Sequence, residues 1–203
     1  MTNSKRSLFI LLSGRGSNFI AIHEKIRRGE LKASIAGVLS NVADAPGLQK
    51  ATEFGYPVHV FPHKGMERRA HEMEVEKIID AADPAFIVLA GYMRILSPEF
   101  IRKYRHRILN IHPALLPSFP GVHAQKQAWE YGAKMTGCTV HFVDEGVDTG
   151  PVILQKVVPV LDADTVEDLE ARILEQEHQA YAEAIGLVLR GNWAIEGRRF
   201  ILK

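Results

Sequence analysis

Four times between residues 7 and 103 a strand-length run of aliphatic residues gives way to a segment with helical spacing, and this alternation most narrows the folds open to the chain. S-L-F-I-L-L-S at 7–13 precedes helical periodicity from Ser17 to Arg28, and A-S-I-A-G-V-L-S at 33–40 precedes a second helix from Pro46 to Phe54. P-V-H-V-F at 57–61 precedes a helix over Glu67 to Ala82, and A-F-I-V-L-A-G at 85–91 precedes a short one that Ser97, Pro98 and Glu99 would open well. Runs without polar alternation are strands covered on both faces. The expected class is therefore α/β: a doubly wound, mostly parallel sheet with helices on both faces.

Past Arg107 the pattern changes. The stretch R-I-L-N-I-H is followed by a proline-containing loop to about Val122, a helix near Ala124 to Tyr131, and two strands, C-T-V-H-F-V and P-V-I-L-Q-K-V-V-P-V. A last helix is signalled by Asp164 and Thr165 as cap candidates, with Glu167 or Asp168 three residues on, and Gly191 closes it.

With 203 residues and 46% hydrophobic composition the chain can close one sizeable core, so a single domain over 1–203 is expected. Its 25 Lys plus Arg against 24 Asp plus Glu leave no overall field to attract nucleic acid or an anionic membrane, which points to small-molecule partners. One cysteine, Cys138, excludes an internal disulfide and fits a reducing, cytoplasmic setting. The apolar run Leu8 to Leu12 is too short to span a bilayer, and no small-residue cleavage site accompanies it.

The first strand runs into S-G-R-G-S-N at 13–18, a glycine-rich turn that opens a helix. Free N–H groups and the helix dipole make such a turn a seat for an anion. It is not a Walker loop, since no G-K-S/T follows, and Phe19 stands where a dinucleotide fingerprint needs its third glycine. The second strand also ends in Ser40-Asn41 rather than the acid that would hold an NAD ribose. A phosphomonoester fits better than a dinucleotide, with an ordinary tight turn as the bland alternative.

In N-I-H-P-A-L-L-P at 110–117, Asn110 and His112 point the same way at a strand's end, because alternate residues share a face. Ligands of such sheets sit beyond the carboxyl ends of the strands. An imidazole there can exchange a proton near neutral pH, and an amide can donate to an oxygen that gains charge, a pairing suited to attack on a carbonyl carbon. H-F-V-D-E-G-V-D-T-G-P at 141–151 supplies a third element: Asp148 is placed to pair with His112, raise its pKa and orient it. Asp144 and Glu145 read as solvated loop acids. No serine or cysteine carries a nucleophile elbow, and His141 with Asp144 falls short of a metal ligand set, so no metal is expected. The basic run R-K-Y-R-H-R at 102–107 reads as a solvated helix end, His23, His63 and His71 as surface residues, and Cys138 as a buried strand residue.

Taken together, S-G-R-G-S-N, A-G-Y-M-R-I-L-S, N-I-H-P-A-L-L-P-S-F-P-G and H-F-V-D-E-G-V-D-T-G-P-V-I-L-Q cover nearly the whole chain and resemble the phosphoribosylglycinamide formyltransferase family, folate-dependent enzymes of purine synthesis. The resemblance implies a formyltransferase-type Rossmann-like fold. It also implies transfer of a formyl group from 10-formyltetrahydrofolate, as co-substrate, to the amine of glycinamide ribonucleotide, by a monomer or homodimer. Carried onto this sequence, it places Gly16, Ser17, Asn18 and Glu177 at the ribonucleotide. Arg68, Met93, Arg94, Ile95, Leu96 and Asn110 fall at the folate, with Arg69 as the competing register for the arginine. Catalysis falls to Asn110, His112 and Asp148. For Glu177 an exposed helix acid is the alternative.

Two similar families share the asparagine, histidine and aspartate. Methionyl-tRNA formyltransferase is expected to need a further RNA-binding domain beyond Lys203, and formyltetrahydrofolate deformylase an N-terminal regulatory domain. A non-catalytic nucleotide-binding module is the alternative from another class; it would leave Asn110, His112 and Asp148 without a task.

Overall fold

The aliphatic runs form strands. In the computed structural model, which describes residues 6–203, β1 (Ser7–Leu12) is buried from end to end and is followed by α1 (Ser17–Arg27), β2 (Ser34–Ser40) and α2 (Pro46–Glu53). β3 (Val58–Val60), α3 (Arg68–Ala82), β4 (Phe86–Leu89) and α4 (Pro98–Lys103) complete the alternation. The chain divides after Leu109 into two compact units. In the first, the strand order is β3-β2-β1-β4 and β1 pairs in parallel with both β2 and β4. This is the expected parallel α/β arrangement, and it follows from β1: Leu8 to Leu12 are all fully buried, so neither face can meet water.

β5 (Ile108–His112) carries the chain into the second unit, which continues with α5 (Ala124–Tyr131), β6 (Met135–Phe142), β7 (Val152–Pro159) and α6 (Val166–Leu189). β6 and β7 pair antiparallel, in the order β5-β6-β7-β9-β8. The final hairpin, β8 (Trp193–Glu196) and β9 (Arg199–Leu202), was not among the expected elements. Its strands have four residues each, too few for a strong pattern, and an aromatic group of Phe142, Trp193 and Phe200 holds it in place.

α6 begins on a complete capping box: Thr165 Oγ1 accepts from Asp168 N at 3.2 Å, and Asp168 Oδ2 accepts from Thr165 N at 3.0 Å. Thr165 is thus the cap, while Asp164 forms a two-point ion pair with Arg172 that holds its carboxyl down to about 2. Thr165→Ala removes one acceptor from the first turn and is expected to lower stability by about 1 kcal/mol, read by urea denaturation.

Three surface assignments are corrected. His71 on α3 is fully buried with Nε2 at 2.8 Å from the Phe61 carbonyl oxygen. His23 stacks on Phe54 at 3.7 Å and bonds to the Tyr56 hydroxyl, and His63 bonds to Asn41. Their partners lie elsewhere in the chain, so local sequence gave no sign of them. The 102–107 run is likewise only partly solvated. Lys103 pairs with Glu76 and Asp80, Tyr104 is buried, and Arg107 donates to the Pro84 carbonyl. No described helix is long and apolar enough to cross a membrane, and no cluster of three potential metal ligands occurs among the described residues.

Candidate active site

Asn110 and His112 close β5, which ends because the next residue, Pro113, brings no N–H to a strand ladder. His112 is 4% exposed. Its Nε2 lies 2.7 Å from the Phe119 carbonyl oxygen and its Nδ1 3.2 Å from Asp148 Oδ2. Both neighbours are acceptors. A protonated ring therefore satisfies both contacts, whereas a neutral ring can donate to only one.

Asp148 reaches the ring from the loop between β6 and β7. Its backbone is left-handed, with φ of 54°, a conformation a non-glycine residue adopts at a cost of roughly 1 kcal/mol or more. The surrounding loop enforces it: Asp144 Oδ1 accepts from the Thr149 hydroxyl at 2.6 Å and from Gly146 N at 3.2 Å. Asp144 is thus a loop organiser as well as a surface acid. Asp148 Oδ2 also accepts from Gly121 N at 2.8 Å, which ties the 113–123 segment to the same carboxylate. That segment is fixed at its start by Thr139. The Thr139 hydroxyl donates to Ala114 O at 2.6 Å and accepts from Leu116 N at 3.0 Å.

Electrostatics at His112 depart from expectation in one respect. Burial lowers its pKa and outweighs the opposing pull of Asp148 and of the Phe119 carbonyl, so the net shift is below the ordinary 6.5 and not above it. For Asp148, burial pushes the carboxyl upward, but the neighbouring imidazoles of His141 and His112 and the hydrogen bond from Gly121 N take it below the ordinary 3.8. The arrangement favours a neutral imidazole beside an ionised carboxylate at neutral pH.

Sequence reasoning weighed His141 only as a metal ligand and missed its place here. His141 Nδ1 lies 2.9 Å from the Phe142 carbonyl oxygen, so that nitrogen carries the proton and Nε2 is an acceptor in the neutral ring. Asn110 Nδ2 stands 3.3 Å from that Nε2, and Asp148 Oδ1 is 3.6 Å from it. The signal was available: His141 is one residue from the end of its strand, the same logic that picked out His112. Four side chains thus form one connected group, with an amide whose second N–H is uncommitted to His141.

In the first unit, Gly16 caps α1 with a left-handed φ of 69°, and Ser17 and Asn18 open the helix. Gly47 N donates to Gly14 O at 3.0 Å, and a Cβ on Gly47 would stand 2.8 Å from Leu12 Cδ2, so the start of α2 can approach the turn only as glycine. Arg69 is committed to Glu76, which leaves the exposed Arg68 as the arginine of the pair open to a ligand. Met93 and Ile95 are 74% and 65% exposed, Arg94 is half-buried and Leu96 is buried. Glu177 is buried on α6 and not an exposed acid; burial and its charge raise Cys138 on β6 to about 12.

Residues 6–185 match the family model described as formyl transferase. The trifunctional purine biosynthetic protein adenosine-3 of Drosophila pseudoobscura pseudoobscura is 44% identical over 94% of this chain, which spans only 14% of that protein's length. Phosphoribosylglycinamide formyltransferase of Escherichia coli is 42% identical over 95% of this chain and 88% of its own. The crystal structure of glycinamide ribonucleotide transformylase 1 from Symbiobacterium toebii superposes with a TM-score of 0.95 at 44% identity, covering 99% of this chain and 95% of that one.

Proposed function

Because this chain belongs to the formyl transferase family, we propose that it carries the formyl group of 10-formyltetrahydrofolate to the amine of glycinamide ribonucleotide, releasing tetrahydrofolate and the formylated amide. The observation that carries this reading is the connected group of Asn110, His112, His141 and Asp148. The amine nitrogen attacks the formyl carbon, a C–N bond forms, and the formyl oxygen becomes an alkoxide. Asn110 donates its free amide N–H to that oxygen, a contact worth most in the transition state. The bond from the formyl carbon to the folate nitrogen then breaks, and the proton lost by the amine goes to that nitrogen.

His112 moves this proton as general base and then general acid. To reach substrate, Nε2 exchanges the Phe119 carbonyl for the reacting nitrogen, while Nδ1 stays on Asp148. The ring carries positive charge only in passing, and Asp148 stabilises it then. No metal or covalent enzyme intermediate is required by this scheme. Gly16, Ser17 and Asn18 are assigned to the phosphate of the ribonucleotide, and Glu177 is assigned to a contact with the ribonucleotide. Arg68 and the Met93 to Leu96 backbone are assigned to the folate. The exposed Arg68 and the exposure of Met93 and Ile95 support that assignment.

The test offers the protein 10-formyltetrahydrofolate with glycinamide ribonucleotide, with other amines, or with water alone, and follows folate absorbance. Turnover that requires the ribonucleotide is expected. Release with water alone would make the chain a deformylase; binding without turnover would make it a non-catalytic module.

A further inference from the structure

The segment from Met93 to Ser97 is held by a side chain at each end. At its start, Met93 N donates to Ser13 Oγ at 2.8 Å; the same hydroxyl donates to Asn41 Oδ1 at 2.6 Å, and Ser13 N donates to Gly91 O at 3.0 Å. At its end, Ser97 N donates to Glu72 Oε1 at 2.8 Å. Ser97 is the N-cap of α4, and its Oγ accepts from Phe100 N at 3.2 Å. A capping box would satisfy the cap's own N–H with an acid or amide three residues on. Phe100 occupies that position and is fully buried in the core, so Glu72 of α3 performs the task from another helix.

This use of a glutamate is costly. Glu72 is 1% exposed, its Oε2 makes no hydrogen bond among the described residues, and Arg69 stands 3.9 Å from that oxygen. Burying a carboxylate with one backbone donor and a distant cation is unfavourable unless the position it fixes matters. What it fixes is a short backbone stretch bearing two large apolar side chains, Met93 and Ile95, turned to solvent.

We infer that Glu72 and Ser13 are positioning residues for folate binding: between them they set the backbone of residues 93–97 so that its free groups meet the ligand in one geometry. The inference rests on the assignment of that segment to the folate. Glu72→Gln keeps an oxygen for Ser97 N, whereas Glu72→Leu fills the space without an acceptor.

Equilibrium binding of tetrahydrofolate and of glycinamide ribonucleotide is measured for each variant, with hydrogen exchange at the Ser97 amide as the readout of the contact itself. Glu72→Leu is expected to weaken tetrahydrofolate about tenfold, the loss of roughly one hydrogen bond's worth of order, and to leave ribonucleotide affinity within about twofold. Ser97 exchange speeds up in parallel, and Glu72→Gln stays close to the parent in all three. Ser13→Ala, which frees Met93 N and keeps Glu72, is expected to weaken tetrahydrofolate in the same direction, so a Leu variant that fails to fold still leaves a test. Unchanged folate affinity in a folded variant whose Ser97 amide exchanges faster overturns the inference, and so does an equal loss for both ligands. Failure of the parent protein to bind tetrahydrofolate at all would instead strike the assignment of function.

Discussion

Asp148→Asn is expected to lower kcat by about 10³-fold while the variant melts close to the parent. The amide oxygen of asparagine can take over both contacts of Oδ2, to Gly121 N and to His112 Nδ1, and its NH2 would face His141 Nε2, which accepts. The loop therefore keeps its shape. What disappears is the negative charge. His112 is buried enough that its pKa already lies below 6.5 with Asp148 in place, and without that charge the imidazolium formed during transfer has only two neutral oxygens, the Phe119 carbonyl and the introduced amide, to oppose its desolvation. Positioned acid-base groups contribute about 10²- to 10⁴-fold, and neutralising the acid behind a catalytic histidine falls in the upper part of that range. Stopped-flow or steady-state kcat on a variant with parent-like circular dichroism decides it; a rate within a few fold of the parent removes Asp148 from proton transfer.

The same pair sets the pH response. A histidine with a depressed native pKa remains neutral in the folded chain while the unfolded chain still binds a proton, so between the depressed value and 6.5 stability rises with pH. Asp148 acts in its own window. Its carboxyl sits below 3.8 in the native state, so its contribution is present above 3.8 and is lost as pH falls through the native value. In the parent the acid limb of kcat follows uptake of a proton by His112 and is centred below 6.5. Removing the charge of Asp148 shifts that limb further toward acid.

The two halves of the chain differ in how much their sequence discloses. β1 could be read directly because a strand buried on both faces writes its burial as an unbroken apolar run, and the cap of α6 could be narrowed to Asp164 or Thr165 because capping boxes are local. The final hairpin escaped notice because four-residue strands carry too little periodicity. At the site, Asn110, His112 and Asp148 were legible from strand-end geometry and from one acid in a glycine-rich loop. The direction of the His112 shift was not, since it depends on how deeply the ring is buried, a property of packing rather than of neighbours in sequence. His71 and Glu72 illustrate the same limit. Both are buried on α3, and their partners, Phe61 O and Ser97 N, lie ten and 25 positions away.

Replacing Asn110 with leucine, similar in volume, is expected to cost about 10²-fold in kcat with KM for either substrate changed by only a few fold. The orientation of this amide is not free. His141 Nδ1 gives its proton to the Phe142 carbonyl, so His141 Nε2 must accept, and Asn110 has to turn Nδ2 toward it. One N–H is consumed in that contact and the other is left to meet an oxygen that gains negative charge. Loss of a single such donor costs on the order of 10²- to 10³-fold, because the interaction strengthens as the carbonyl becomes an alkoxide. Asn110→Asp should be worse than leucine, since a carboxylate offers no donor and repels the alkoxide. A leucine variant whose KM rises while kcat stays level would mean that Asn110 binds ground state and transition state alike, and the oxyanion role would have to pass to another group.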